Sequence, residues 1–289
     1  IFMVLKYSGS TKTFCLIGHP VEHSMSPTMW NPALDELGLD YVYIAYDVRP
    51  ENLKHAIEGM RALGIKGMNV TIPHKEAVIQ YVDEVDEVSI KMGAINTIKN
   101  DNGILKAKNT DAGGARKALL DAGCTISDKN ILFLGAGGVA RSVAYVLSED
   151  ANRIIVTDIV EKSALSVANE IKENMGANIE GKLVNYKLLK NEIDGIDILI
   201  NATPIGMHPK IDESPFPKEL LHDGLFVFDV IYNPLETLLL KDASEKGCKT
   251  LGGLDMLVNQ GVLAFEWWTG KSPNAALMKS KIIEFLGIE

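Results

Sequence analysis

The sequence predicts an α/β protein of two domains, and three observations carry that prediction. Short apolar, β-branched runs alternate with stretches of helical spacing along the chain. Two of these runs end in polar clusters, Asn69 to Lys75 and Asn109 to Asp111, and a third opens into the glycine turn Gly135-Ala136-Gly137-Gly138. The length, 289 residues, favours two hydrophobic cores over one.

Composition bounds the chemistry. With 46% apolar and 23% charged residues and no repeat, the chain reads as an ordinary globular protein. A net charge of −9 with no basic stripe argues against nucleic acid or an anionic membrane as partner. An anionic substrate would then need positive charge supplied locally, for which Lys75 and a helix N-terminus are candidates. Cys15, Cys124 and Cys248 have neither metal-ligand nor disulfide spacing and read as packed thiols in a reducing compartment, so no metal is expected. No run reaches the roughly 18 apolar residues of a membrane span and the N-terminus shows no basic region followed by an apolar one, so the expected location is cytoplasmic. A monomer or homodimer is expected. Ile1 ahead of Met3 reads as an altered terminus and is left out of fold reasoning.

In chain order, Lys12 to Gly18 is predicted as a strand, followed by a helix from Pro27 to about Leu37 that Gly38 ends. Ser26 before Pro27 is the pattern of an N-cap and first helical residue. Capping alone would account for Ser26 but not for Ser24, and two hydroxyls at a strand-to-helix turn suit a ligand with several oxygens. Tyr41 to Val48 reads as a strand covered on both faces, Pro50 to Leu63 as a helix, and Ile65 to Ile72 as a third, parallel strand. Pro73 stops that strand. Asn69 and Thr71 share one face by alternation, and His74 and Lys75 open a helical stretch. Runs on either side of Asn100-Asp101-Asn102-Gly103 predict an antiparallel hairpin at the sheet edge, whose ends bring Asn96 near Asn109-Thr110-Asp111. That last run could also simply cap the following helix. Lys75 and Asp111 are the candidate pair for proton chemistry on a small polyhydroxylated acid.

The second domain begins beyond the helix that follows Asp111, and we bound the two as 1–112 completed by 253–289, and 113–252. Ile131 to Leu134 is an apolar strand, and Gly135, Ala136, Gly137, Gly138, Val139 and Ala140 turn it into a helix. This is the dinucleotide fingerprint of a Rossmann-type, doubly wound sheet, with Ala140 in place of the third glycine. The next strand ends in Asp158, 20 residues after Gly138. An acid there accepts both ribose hydroxyls of NAD and repels a 2′-phosphate, which favours NAD(H); capping of the helix from Glu161 to Met175 would also explain it. Lys162 or Arg141 could still meet a phosphate. Further strands are predicted at Lys182 to Asn185, Ile198 to Thr203 and Phe226 to Ile231, the pattern running to about Gly247. Asn201 to Met207, with Thr203, and Asp229 to Thr237, with Ile231, are expected along the cofactor cleft, and Tyr232 toward the gap between domains. Gly252-Gly253 breaks the chain before a helix carrying Gln260, and Gly253 joins the cofactor set. The last helix, Pro273 to Leu286, is amphipathic and expected on the first domain, with Trp267 and Trp268 as packing residues.

The runs His23-Ser24-Met25-Ser26-Pro27, Asn69 to Lys75, Gly93-Ala94-Ile95-Asn96-Thr97, Asn109-Thr110-Asp111, Gly135 to Arg141, Asn201 to Met207 and Gly253 through Gln260 to Trp268-Thr269-Gly270 resemble, in order and over nearly the whole chain, the shikimate dehydrogenase family (shikimate and quinate 5-dehydrogenases). Together they are far more specific than any one alone. The resemblance implies reversible hydride transfer between 3-dehydroshikimate and shikimate, a step toward chorismate and the aromatic amino acids, with a nicotinamide dinucleotide. It implies that Ser24, Ser26, Asn69, Thr71, Asn96, Asp111 and Gln260 contact shikimate, that Lys75 and Asp111 are the catalytic pair, and that Tyr232 borders the site. Trp30 stands where members commonly carry His, and Ala107 where a Gly is usual. Thr157-Asp158-Ile159 replaces the Asn-Arg-Thr type of run that grips the NADP phosphate in many members, where NADP(H) is the default. That is similar to the NAD-using quinate/shikimate branch, whereas serine at both 24 and 26 resembles the shikimate-specific branch. A quinate/shikimate dehydrogenase is the nearest alternative, and a non-catalytic dinucleotide-binding regulator a more distant one.

Overall fold

The alternation of strands and helices builds two six-stranded sheets among the described residues, 7–287 of a computed structural model; Ile1 and Met3 lie outside them. One compact unit holds the chain up to Thr110 and again from Gln260, and the other holds Asp111–Asn259.

The first unit runs β1 (Lys12–Gly18), α1 (Ser26–Glu36), β2 (Tyr41–Asp47), a 3-10 turn at Pro50–Asn52, α2 (Leu53–Ala62), β3 (Gly67–Val70), a 3-10 turn at Ala77–Tyr81, β4 (Glu84–Val85), α3 (Glu87–Met92), β5 (Thr97–Asp101) and β6 (Ile104–Lys108). The sheet order is β2-β1-β3-β5-β6-β4. It is mixed: β1 pairs parallel with β2 and β3, and β4 with β6, while β3–β5 and β5–β6 are antiparallel. Alternation along β1 sends Cys15 and Ile17 into a core with Ile57, Met68, Val70 and Ile98, and leaves Phe14 to an aromatic cluster with Trp30 and Trp268.

Several expectations change here. Tyr41–Asp47 is not covered on both faces: it is an edge strand with Ile44 and Tyr46 exposed, so its apolar run reflects β propensity rather than burial. Ser26 is the first residue of α1, not its cap; Met25 is the cap, and it makes no side-chain capping bond. The third strand ends at Val70, so Thr71 lies just past it. The segment after Lys75 forms only a 3-10 turn, from Ala77. The hairpin turns tightly at Asn102-Gly103, both at positive φ, and the two-residue β4 lies beyond it as the true edge.

The second unit runs α4 (Asp111–Asp121), β7 (Asn130–Leu134), α5 (Gly138–Leu147), β8 (Arg153–Asp158), α6 (Glu161–Met175), β9 (Ile179–Leu183), α7 (Tyr186–Glu192), β10 (Ile198–Asn201), β11 (Phe226–Asp229), α8 (Leu238–Glu245) and β12 (Lys249–Leu251). The order β12-β11-β10-β7-β8-β9 is parallel throughout, the doubly wound order in which the first strand sits beside the fourth. β9 begins three residues earlier than expected, because Gly181 must lie within it: a Cβ there would come within 2.4 Å of the Ala164 backbone of α6. β12 extends the pattern past Gly247; at three residues it was too short to read as a strand.

The chain closes with α9 (Leu254–Thr269) and α10 (Ala275–Phe285), and α10 packs on α1 through Met278 and Ile282. Trp268 stacks on Phe14 and lies against Gly67, where a Cβ would come within 2.4 Å of its ring. Trp267 takes the Lys108 ammonium over its face. Cys15, Cys124 and Cys248 are buried free thiols. No helix among the described residues is long and apolar enough to cross a membrane.

Candidate active site

In the first unit the polar residues singled out from the sequence converge at the carboxyl end of β3 and the root of the hairpin. Asn69 is buried, and its amide nitrogen donates to the Asn96 carbonyl (3.1 Å) and to Thr97 Oγ1 (3.1 Å). Its oxygen accepts from the Tyr43 hydroxyl at 2.8 Å. Asn96 Oδ1 accepts from Thr97 Oγ1 (3.0 Å), Thr110 N (2.7 Å) and Thr110 Oγ1 (3.1 Å), and Asn96 Nδ2 lies 3.5 Å from Gln260 Oε1. The pairing of β5 with β6 makes this possible: with Thr97 opposite Lys108, position 96 comes opposite 109, and the Asn96 side chain reaches the adjacent Thr110. Buried polar groups must find partners, and here they find each other.

Around this network, Ser24 Oγ accepts from Ser26 N at 3.3 Å, and Ser26 is buried. Ser24 therefore has a structural task that the sequence did not reveal. Thr71 lies over the end of β1, where Gly18 leaves room: a Cβ on Gly18 would come within 2.3 Å of Thr71 Cγ2. Lys75 is buried, an uncommon state for a lysine, and its carbonyl accepts from Ile95 N at 2.9 Å. The neighbouring His74 is tied down by Nε2 at 2.6 Å from the Val48 carbonyl. Asn109 turns away to bond the Ala94 carbonyl, whereas Asp111, the first residue of α4, is itself buried.

In the second unit, Gly135 has φ +94°, and a Cβ there would meet the Ala202 carbonyl at 2.9 Å. Gly137 is exposed, with nothing within 4 Å of a Cβ, and Gly138 starts the ten-residue α5. Val139 is half-buried, and Ala140 is buried against the sheet as the third-glycine position requires. A tight turn, an open backbone face and a helix N-terminus fit a dinucleotide pyrophosphate. Asp158 ends β8, with Oδ2 accepting from Ala136 N (2.9 Å) and Oδ1 from Val160 N (2.8 Å). It does not cap α6, whose cap is Val160. A carboxylate has about four acceptor sites, so capacity for ribose hydroxyls remains. Arg141 is committed to Glu170, while Lys162 is exposed.

Beside that turn, a second buried network fixes two loops. Asn201 donates to Asp229 Oδ1 (3.0 Å) and the Ile205 carbonyl (3.2 Å), and accepts from Thr203 N and Oγ1. Asp229 also accepts from Ile231 N (3.0 Å) and Thr237 Oγ1 (2.7 Å). Burial pushes its carboxyl up, against the pull of these hydrogen bonds. Tyr232 follows in the same loop, its phenol also raised by burial. Gly253 is obligatory, since a Cβ would fall 2.1 Å from the Val230 carbonyl. Thr237→Val removes both a bond to the buried carboxylate and the cap that accepts from Leu240 N, and is expected to destabilise by about 2 kcal/mol. A urea midpoint equivalent to under ~0.5 kcal/mol would contradict the network's importance.

Tyr43 carries no signal in the sequence, because a tyrosine in an apolar run reads as core; for Asp229 and Thr237 the sequence marked the run but not that the two bond each other. Residues 16–98 match the shikimate dehydrogenase substrate binding domain and 253–283 the shikimate 5′-dehydrogenase C-terminal domain. The shikimate dehydrogenase (NADP(+)) of Methanocaldococcus jannaschii is 51% identical over 96% of this chain and 98% of its own length. A crystal structure of a shikimate dehydrogenase with NADP+ superposes with TM-score 0.91 at 48% identity, covering 96% of this chain and 97% of the other. That of shikimate 5-dehydrogenase from Listeria monocytogenes, with shikimate and NAD, gives 0.88 at 35% identity, covering 97% and 99%. Similarity of this degree over nearly the whole chain means that the chain belongs to the shikimate dehydrogenase family.

Proposed function

We propose that this chain is a shikimate dehydrogenase, interconverting 3-dehydroshikimate and shikimate with a nicotinamide dinucleotide in aromatic amino acid biosynthesis. The observation that carries the reading is the buried polar network joining Asn69, Asn96 and Gln260, with Ser26, Lys75 and Asp111 buried as well. Amides anchored by their neighbours, together with a buried hydroxyl and an ammonium, suit a carboxylate that carries several hydroxyls. Ser24, Ser26, Asn69, Thr71, Asn96, Asp111 and Gln260 take the acid, and Tyr232 borders it. Residues 1–112 with 253–289 form the acid-binding domain and 113–252 the dinucleotide-binding one. Gly135 to Ala140, Asp158, Thr203, Ile231 and Gly253 take the dinucleotide.

When bound, the nicotinamide supplies the hydride chemistry. Lys75, as the ammonium, places positive charge and a proton at the carbonyl oxygen being reduced; in the oxidative direction its neutral amine takes the hydroxyl proton. Asp111 orients Lys75 and the same substrate oxygen.

Of the two dinucleotides we assign NAD as the better one, on Asp158. A carboxylate at the end of β8, held there by Ala136 N, repels a 2′-phosphate, and Arg141 is spoken for by Glu170. The expected result is a kcat/KM for NAD about tenfold above that for NADP, and Asp158→Ala should narrow the ratio. Following reduced nicotinamide by absorbance with shikimate plus NAD, then NADP, tests both the activity and the preference; a preference for NADP would remove the assignment to Asp158. Running quinate in parallel decides between a shikimate enzyme and a dual-specificity one, which Asp158 keeps in play.

A further inference from the structure

We infer that His74 is a positioning residue for Lys75, its ring tying the segment that carries the lysine to the end of β2. The inference rests on the proposed function, in which Lys75 carries the proton, and adds a residue outside both proposed ligand sets.

Backbone pairing holds this segment only part of the way. Past the end of β3, Thr71 N donates to the Ile17 carbonyl and the Ile72 carbonyl accepts from His19 N, both at 2.9 Å, so β1 guides the chain as far as Ile72. Pro73 has no N–H to continue the ladder, and the next regular element is the 3-10 turn from Ala77. Lys75 sits in the gap between them, its carbonyl held by Ile95 N at 2.9 Å.

His74 spans what the ladder leaves open. The sheet order sets β1 between β2 and β3, so with strands about 4.8 Å apart the ends of β2 and β3 are separated by roughly 10 Å. From a turn closed by its own N–H to the Thr71 carbonyl (2.9 Å), His74 sends Nε2 to within 2.6 Å of the Val48 carbonyl, just past the end of β2. A carbonyl only accepts, so Nε2 carries a proton and donates it. Val48 is a firm anchor: its amide donates to the Gly18 carbonyl at 2.8 Å, and its side chain packs on the core of β1 and β3. His74 is 1% exposed, and an apolar ring would meet that burial equally well. What the imidazole adds is the directed bond, placed one residue before the lysine.

The test pairs His74→Phe, which keeps an aromatic ring and removes the donor, with His74→Gln, whose amide nitrogen stands where Nε2 did. For His74→Phe, kcat on shikimate is expected to fall about tenfold with the KM values for shikimate and dinucleotide within about threefold, because a small displacement of a reacting group costs rate more than binding. His74→Gln, which restores the donor, should recover most of that loss. Unchanged kcat in His74→Phe overturns the inference. So does His74→Gln as slow as His74→Phe, or a fall in kcat with both KM values raised, which marks a merely structural role. Independently of turnover, acetic anhydride labelling read by mass spectrometry should modify Lys75 several-fold faster in His74→Phe than in the wild type or His74→Gln, with other lysines unchanged. Equal labelling of Lys75, or an increase at every lysine, overturns the inference. Should His74→Phe not fold, the nitrogen NMR spectrum of the wild-type ring decides: a slowly exchanging Nε2–H supports the tether, and a ring protonated at Nδ1 alone overturns it. A wild-type enzyme inactive on shikimate would instead sink the proposed function, and the labelling would still judge the tether.

Discussion

Replacing Lys75 with alanine is expected to lower kcat about a thousandfold while shifting the shikimate KM only a few-fold. A lysine this deeply buried gives up its hydration, and chains retain such a group only where its charge or its proton is used. A positioned acid or base contributes roughly 10²–10⁴ to a rate, and the field of an ammonium on a developing alkoxide adds to the same step. In the proposed reading the acid is held by several amides and hydroxyls, so loss of one group should fall mainly on the chemistry. Steady-state kinetics on Lys75→Ala, with Lys75→Met as the variant that keeps the aliphatic stem, separates the effects. Retention of more than a tenth of kcat in either would remove Lys75 from the reaction.

Trp30→Ala should destabilise the first unit by about 3–5 kcal/mol, the cost of truncating a large aromatic in a filled core. Trp30 is fully buried and contacts four rings: Tyr43 and Phe265 stacked at 4.9 and 5.1 Å, Trp268 at 4.9 Å and Phe14 edge-on at 5.9 Å. Such pairs contribute beyond their buried area, and the hole left has rigid walls on every side. Its indole nitrogen is buried without a hydrogen-bond partner, so Trp30→Phe gives back part of the lost packing by removing an unpaired donor and should cost less than half as much. Urea unfolding followed by Trp fluorescence and circular dichroism measures both. A loss under ~1 kcal/mol for Trp30→Ala would mean that the cluster repacks.

Read residue by residue, the second unit was the more legible. β7, β8, α6 and the glycine turn fall within a residue of where the spacing places them, because a fully buried parallel strand reads as a continuous apolar run and glycine marks its own turn. The first unit misled where one local signal has two causes. Tyr41 to Asp47 is apolar enough for a central strand, yet it forms an edge, since propensity and burial write the same letters. Ser26 before Pro27 has the form of a cap but is itself the first residue of the helix, one position later than a cap would stand.

The amino-acid sequence by itself determined the two-sheet α/β architecture, the dinucleotide turn and the set of polar residues at strand ends, because these depend on periodicity and backbone preference over a few neighbouring residues. Only the tertiary structure decided which polar atoms pair with which. Tyr43 reaches Asn69 from 26 residues away, and Asn201 reaches Asp229 from 28. A hydrogen bond between distant segments is set by how the sheet registers its strands, and that register follows from packing of the whole core rather than from any local run of residues.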